Sequence, residues 1–179
     1  MISKSIVFFG FLLSFIYMGN PIQAQNTLQE KFHKEIISAF ETEDYQLKEI
    51  KVSENLQDQM KVEMNNKNFF QIFTQDQLLG YAYLGEAASM KKMFDYVVFF
   101  DKDLIIKKSK VLIYREDFGR QIGTRRWLSQ FDGMNSTSNP QYGEDIAAIS
   151  GATISASSMT RAMNGVLKSL AVLQKNGVL

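Results

Sequence analysis

The chain contains no cysteine, which removes disulfides, iron–sulfur clusters and thiolate metal sites from the chemistry open to it. Its single histidine, His33, leaves little material for a histidine metal centre or a hydrolytic triad. His33 itself falls on the polar side of a helix-patterned segment and reads as solvated. Net charge is also scarce: 20 Lys and Arg against 19 Asp and Glu give +1. That balance supplies no reason to expect nucleic acid or an anionic membrane surface as a partner. With two prolines in 179 residues, no Pro-rich linker interrupts the chain, and no internal repeat or low-complexity tract is visible. Gly-x-Ser-x-Gly, Gly-x-Gly-x-x-Gly and Walker loops are missing too, so serine hydrolase, dinucleotide and nucleoside-triphosphate readings have no motif. Ser89-Met90-Lys91-Lys92 spells Ser-x-x-Lys without the companion elements that would give it meaning. Asp101 and Asp103 resemble a metal pair, but Lys102 stands between them and the setting reads as a hairpin turn. No metal ligands and no catalytic side chains are therefore nominated.

What is present begins at the N-terminus. Lys4 and the free amine precede a nearly all-apolar run from Ile6 to Met18, and Pro21-Ile22-Gln23-Ala24 ends in the small residue a signal peptidase needs. The run is shorter than the roughly 17 to 25 residues of a bilayer span, so residues 1–24 read as a cleaved export signal. Removing 24 of 179 residues leaves 155, a length suited to one domain with its own core. The expectation is an exported protein, periplasmic or on the extracytoplasmic face of a membrane.

The remaining chain divides into an N-terminal helical region, 25–66, and a principal domain, 67–179. Leu28, Phe32, Ile36, Ile37 and Phe40 predict an amphipathic helix from about Thr27 to Phe40, followed by a polar stretch without a clear pattern. Asn68 to Thr74 and Gln77 to Gly85, separated by Gln75-Asp76, predict one β-hairpin. Phe94 to Phe100 and Leu104 to Tyr114, joined at Asp101-Lys102-Asp103, predict another. Because Val111 and Ile113 alternate with equally apolar Leu112 and Tyr114, the last strand is expected to bury both faces. Met159, Ala162, Met163, Val166, Leu167, Leu170 and Leu173 form a helical stripe within Ser155 to Lys175. The fold class is α+β: a small antiparallel sheet with helices packed on it.

Ser150-Gly151-Ala152-Thr153 runs directly into that last helix. Gly151 and Ala152 leave the backbone bare enough for a ligand to approach, and Gly151 can take dihedrals other residues avoid. Ser150, Thr153 and Ser155 add hydroxyls, while the helix N-terminus offers free N–H groups and the positive end of its dipole to an anion. The same residues also fit an ordinary helix cap.

Ile149-Ser150-Gly151-Ala152-Thr153-Ile154-Ser155 resembles the signature of the FMN-binding domain shared by the G subunit of the Rnf electron-transfer complex and the C subunit of the sodium-translocating NADH:quinone reductase. Tyr114 to Gly133 resembles a second stretch of that family, where a Glu and glycine-rich turn precede a Gln-Phe-x-Gly-like element. The likeness runs from about Tyr81 to Leu170. It implies FMN as cofactor, Thr153 as the residue that a dedicated flavin transferase would join to FMN through a phosphoester, and Ser150, Gly151, Ala152 and Ser155 as its surroundings. Family members commonly carry Asp three residues before the Ser of this core; here that position is Ala147, with Asp145 two residues further upstream.

Against that resemblance, the second block acquires candidates. Gly119 and Gly123 can turn the chain, Arg120, Arg125 and Arg126 offer positive charge to a phosphate, and Trp127 offers a flat face to an isoalloxazine ring. Each also fits a plain role as turn, solvated face or core. Glu116 is expected to orient a loop or to face the flavin, with Tyr81 and Tyr83 as further ring neighbours. The resulting functional expectation is an exported FMN-binding electron carrier working between redox partner proteins at a membrane. A small flavin reductase acting on a soluble substrate and a cofactor-free binding module are the alternatives.

Overall fold

The computed structural model describes residues 21–179, so residues 1–20, with Lys4 and the apolar run of the expected export signal, lie outside the described residues. A helix, α1 (Pro21–Phe40), leads the fold. It begins earlier than the apolar spacing predicts, at a proline whose fixed φ suits a first helical position. It ends at Glu41, whose left-handed φ of 56° turns the chain out of the helix.

Five strands follow: β1 (Gln46–Glu49), β2 (Phe69–Thr74), β3 (Gln77–Ala88), β4 (Met93–Asp101) and β5 (Ile106–Ile113). They pair in sequence order, every pairing antiparallel. A one-turn helix, α2 (Glu54–Gln57), interrupts the long β1–β2 connection. Both predicted hairpins are present. In the second, Asp101 Oδ1 accepts hydrogen bonds from the backbone N–H groups of Asp103 and Ile105 at 2.9 and 3.0 Å, so this carboxylate is used by its own turn. Strand β1 was not expected; only Leu47 on it is even half-buried, so side chains carry no alternation, and it exists through its backbone pairing with Phe70 to Phe73.

After β5 come a 3₁₀ turn at Arg120–Gly123, the short α3 (Arg125–Leu128), a second 3₁₀ turn at Ser129–Phe131, and the long α4 (Thr153–Lys175). The sheet has helices on both faces. On one, α4 buries Met159, Met163, Val166, Leu167, Leu170 and Leu173 completely, each worth about 1.5–3 kcal/mol of apolar burial before entropy is subtracted. On the other, α1 contributes Phe32, Ile36 and Ala39 against Ala82, Val97, Phe99 and Leu112. Strand β5 serves both layers, Val111 in the first and Leu112 in the second. Thus α1 and β1, from the 25–66 region, share one sheet and one back layer with the rest of the domain. Among the described residues, no helix is long and apolar enough to cross a membrane.

Candidate functional site

The loop before α4 has no capping side chain. Its N-cap position is Ala152, with φ −135° and ψ 24°, so the first-turn N–H groups of Thr153, Ile154 and Ser155 have no side-chain acceptor. Gly151 has φ +76°, the left-handed region where a Cβ is strained, although open space surrounds the place a Cβ would occupy. Glycine is therefore required here by conformation and not by crowding. Thr153 is exposed and its hydroxyl bonds to no other described residue. Ser150 is exposed beside it, whereas Ser155 is buried, with its Oγ 3.0 Å from Tyr114 Oη.

A cleft of about 240 Å³ opens against this loop, lined by Gly151 to Ser155 and by Met90, Tyr114, Glu116 and Phe118. Its rim is unusually apolar. Met90 is 73% exposed, Phe118 83% and Ile154 51%, and with Met93 they are the large hydrophobics left exposed among the described residues. Three apolar side chains kept in water around one small cleft form a patch with something to cover.

Glu116 supports this rim from below. Its Oε1 accepts from the backbone N–H of Lys91 at 2.6 Å, from Ser89 Oγ at 2.7 Å and from the N–H of Lys92 at 3.0 Å. These donors close the β3–β4 turn that carries Met90, and they hold the Glu116 carboxyl below its ordinary range, the Lys91 N–H contributing most. Of the two roles foreseen for Glu116, the loop-orienting one has these bonds behind it. Beside it, Arg115 reaches back to Asp95 at 2.6 Å and donates to the Met93 carbonyl at 2.8 Å, clamping the end of β5 to β4.

The other predicted residues stand behind the cleft. Gly119, at φ +80°, is pressed so close that an added Cβ would lie 2.8 Å from Tyr114 Oη and 2.9 Å from Ala152 Cβ. Its missing side chain is what lets the Glu116–Gly119 turn dock on the loop. Gly123 is half-buried at the end of the 3₁₀ turn, an ordinary 3.7 Å from Val111 if a Cβ were added. Trp127 is buried edge-on against Phe131, and its Nε1 donates to the Ala147 carbonyl at 2.8 Å. Gln130 Oε1 accepts from the Ala147 N–H at 2.8 Å. Ala147 is thus fixed through its backbone from both sides, and Trp127 fixes the approach to the loop from the core. Asp145 turns elsewhere, its Oδ2 accepting from the Gln141 N–H at 2.9 Å. Arg126 and Arg120 are exposed and line no part of the cleft, and Arg125 pairs with Asp132. Tyr81 and Tyr83 are core residues under α4.

Sequence reasoning missed Met90, Phe118 and Ile154. Their signal was available only as three apolar residues in otherwise polar turns. A wider groove of about 800 Å³ runs further along α4, past Arg161 and Lys168, and of the predicted residues only Tyr83 lines it.

This fold and loop define an α+β domain that offers an uncapped helix start, a free threonine hydroxyl and an apolar cleft to one ligand. Residues 90–168 match the model of the FMN-binding domain family, which implies FMN as cofactor. The matched segment takes in the Met90 turn, Glu116, Phe118 and the whole Ser150–Ser155 loop. No curated protein matches the chain. The residues fit the cofactor: anion-seeking N–H groups and a hydroxyl for the phosphate, and apolar surface for a ring. The cleft is below the usual 300–1,000 Å³ of a whole-ligand pocket, as expected of a site that receives part of a ligand.

Proposed function

We propose that the chain is an exported electron-transfer protein whose FMN is joined to Thr153 through a phosphoester and that it exchanges electrons with redox partners at a membrane. The observation that carries this reading is the combination at Thr153: an exposed, unengaged hydroxyl, at an uncapped helix start, beside an exposed apolar rim. FMN, when bound, supplies one- and two-electron redox chemistry. The protein's own part is to hold the phosphate end at Gly151 to Ser155, to present Met90, Phe118 and Ile154 to the ring, and to keep both in register through Glu116 and Tyr114. Ester formation at Thr153 Oγ1 requires a transferase and a flavin nucleotide whose phosphate is activated as an anhydride. The hydroxyl proton then leaves with the displaced group, and the protein gains one FMN less one water. A tethered cofactor suits an exported carrier, because no external pool of FMN would replace a lost one. The loop's position does not depend on the side chain at Ala147, because that residue is held through its backbone by Trp127 Nε1 and Gln130 Oε1.

The test is intact mass and in-gel flavin fluorescence of the denatured protein, produced with and without a flavin transferase, next to Thr153→Val. A transferase-dependent mass gain that disappears in the variant is the expected result. Flavin that all comes away on denaturation would overturn the ester. Steady turnover with one soluble donor and one soluble acceptor would replace the carrier by a flavin reductase.

A further inference from the structure

The near-zero net charge conceals a sorted surface. Along the groove between α1 and β5, Lys31, Lys34 and Lys110 line one hollow, while Lys107, Lys108, Lys110 and Arg125 line the next. Lys110 belongs to both, so the six cations form one continuous face. Two carboxylates answer them. Glu35 sits between Lys108 at 2.7 Å and Lys110 at 3.7 Å, and Asp132 holds Arg125. Four positive charges are left over on this face, and subtracting these four from the chain's +1 puts the rest of the molecule at −3. Lys34 has no partner among the described residues, and Lys107 has only the face of Phe40, 5.4 Å away. Collecting like charges on one side of a nearly neutral protein costs stability through self-repulsion, so a bare structural role does not account for it.

We propose that this α1–β5 face binds an anionic lipid surface. Five of its six cations are lysines, compact charges on long flexible stems, which suit a diffuse and mobile field of lipid phosphates; arginine forks would suit fixed carboxylates on a protein. The six cations are spread over α1, β5 and α3 along two adjoining hollows of about 240 and 420 Å³, a distribution wider than one small anion could engage. Among the described residues no helix can cross a bilayer, so any hold that this folded part has on a membrane must be peripheral. The α1 side of the sheet is also the side away from α4, so the proposed contact leaves the Thr153 cleft uncovered. The inference does not depend on flavin and stands or falls separately from the ester.

The experiment is co-sedimentation of the purified protein with vesicles of phosphatidylcholine alone and of phosphatidylcholine with about one-third phosphatidylglycerol, at low and high salt. Binding should require the anionic lipid and be released by salt. In the triple variant Lys34→Gln, Lys107→Gln and Lys110→Gln, binding to the anionic vesicles should fall about 100-fold, at roughly a fivefold loss per charge, with the thermal melt unchanged. The reverse control, neutralising Lys61, Arg161 and Lys168 on the α4 side, should leave binding intact. Equal binding to both vesicle types, no binding at low salt, or full binding by the α1–β5 variant would overturn the proposal.

Discussion

Tyr114 and Ser155 meet hydroxyl to hydroxyl at 3.0 Å, one at the end of β5 and the other in the first turn of α4. The bond spans 41 residues of sequence and joins the sheet to the loop that the family signature occupies. Since Ser155 is buried, Tyr114→Phe strands a hydroxyl away from water and should cost about 1–3 kcal/mol. Double substitution with Ser155→Ala should recover part of that loss, because both polar partners are then gone. Chemical denaturation of the two variants and the double mutant checks this; strict additivity would show that the hydroxyls do not interact.

Gly151 and Gly119 both have left-handed backbones but differ in what surrounds them. Gly151→Ala should cost about 1–2 kcal/mol from backbone strain alone, since its surroundings are open. Gly119→Ala adds a collision with Ala152 and Tyr114 and should cost clearly more, while also displacing the loop. Comparing melting temperatures and FMN affinity for the pair tests the order. A reversed order would mean that the Gly119 turn is free to move.

The Glu116 carboxyl is held below its ordinary range in the folded protein by the Lys91 N–H, the Ser89 hydroxyl and the Lys92 N–H. A depressed pKa means that stabilisation is present above the unfolded-state value and is lost as pH falls through the folded one. Glu116→Gln should therefore weaken the β3–β4 turn at neutral pH, and the gap between variant and wild type should close on acidification below the carboxylate range. Hydrogen exchange at Lys91 and Lys92 is the direct readout. A gap that stays constant with pH would assign Glu116 a packing role only.

Burial pushes Tyr83 up to about 12 and Tyr96 well above its ordinary value. A raised phenol pKa gives stability that is complete below the ordinary value near 10 and is lost as pH rises through the folded one. The protein should lose stability steadily above about pH 10, and Tyr83→Phe should flatten that decline. Ultraviolet titration of tyrosinate alongside denaturation follows both. Two phenols ionising at the ordinary value without unfolding would contradict the burial.

The parts legible in the sequence were those with period or chemistry. The apolar stripe of α4, the two hairpins and the double burial of Val111 and Leu112 followed from hydrophobic spacing alone, because packing on a sheet or helix face imposes that spacing. Strand β1 was invisible because it is held by main-chain pairing, to which side chains contribute no pattern. The loop at Ser150 to Thr153 was readable through its bare backbone. Its surroundings were not, because Met90 and Phe118 reach it from turns 28 residues apart in sequence. Trp127 illustrates the limit: a lone tryptophan suggested a ring neighbour, yet its indole is committed to Phe131 and the Ala147 carbonyl. Net charge, as a sum over the chain, carries no information on how charges are distributed in space.

The bare start of α4 has a thermodynamic consequence. With Ala152 in the capping position, about 1 kcal/mol that a serine or aspartate cap would contribute is missing from the apoprotein. A ligand anion that satisfies those N–H groups restores it, so the folded state and cofactor loading become linked equilibria. For a diffusible ligand that gain shrinks with dilution. For a ligand joined at Thr153 the local concentration is fixed by a single bond, and the stabilisation would persist at infinite dilution. Melting temperature would then report the history of each molecule, whether it had met its transferase, and not the flavin content of the buffer.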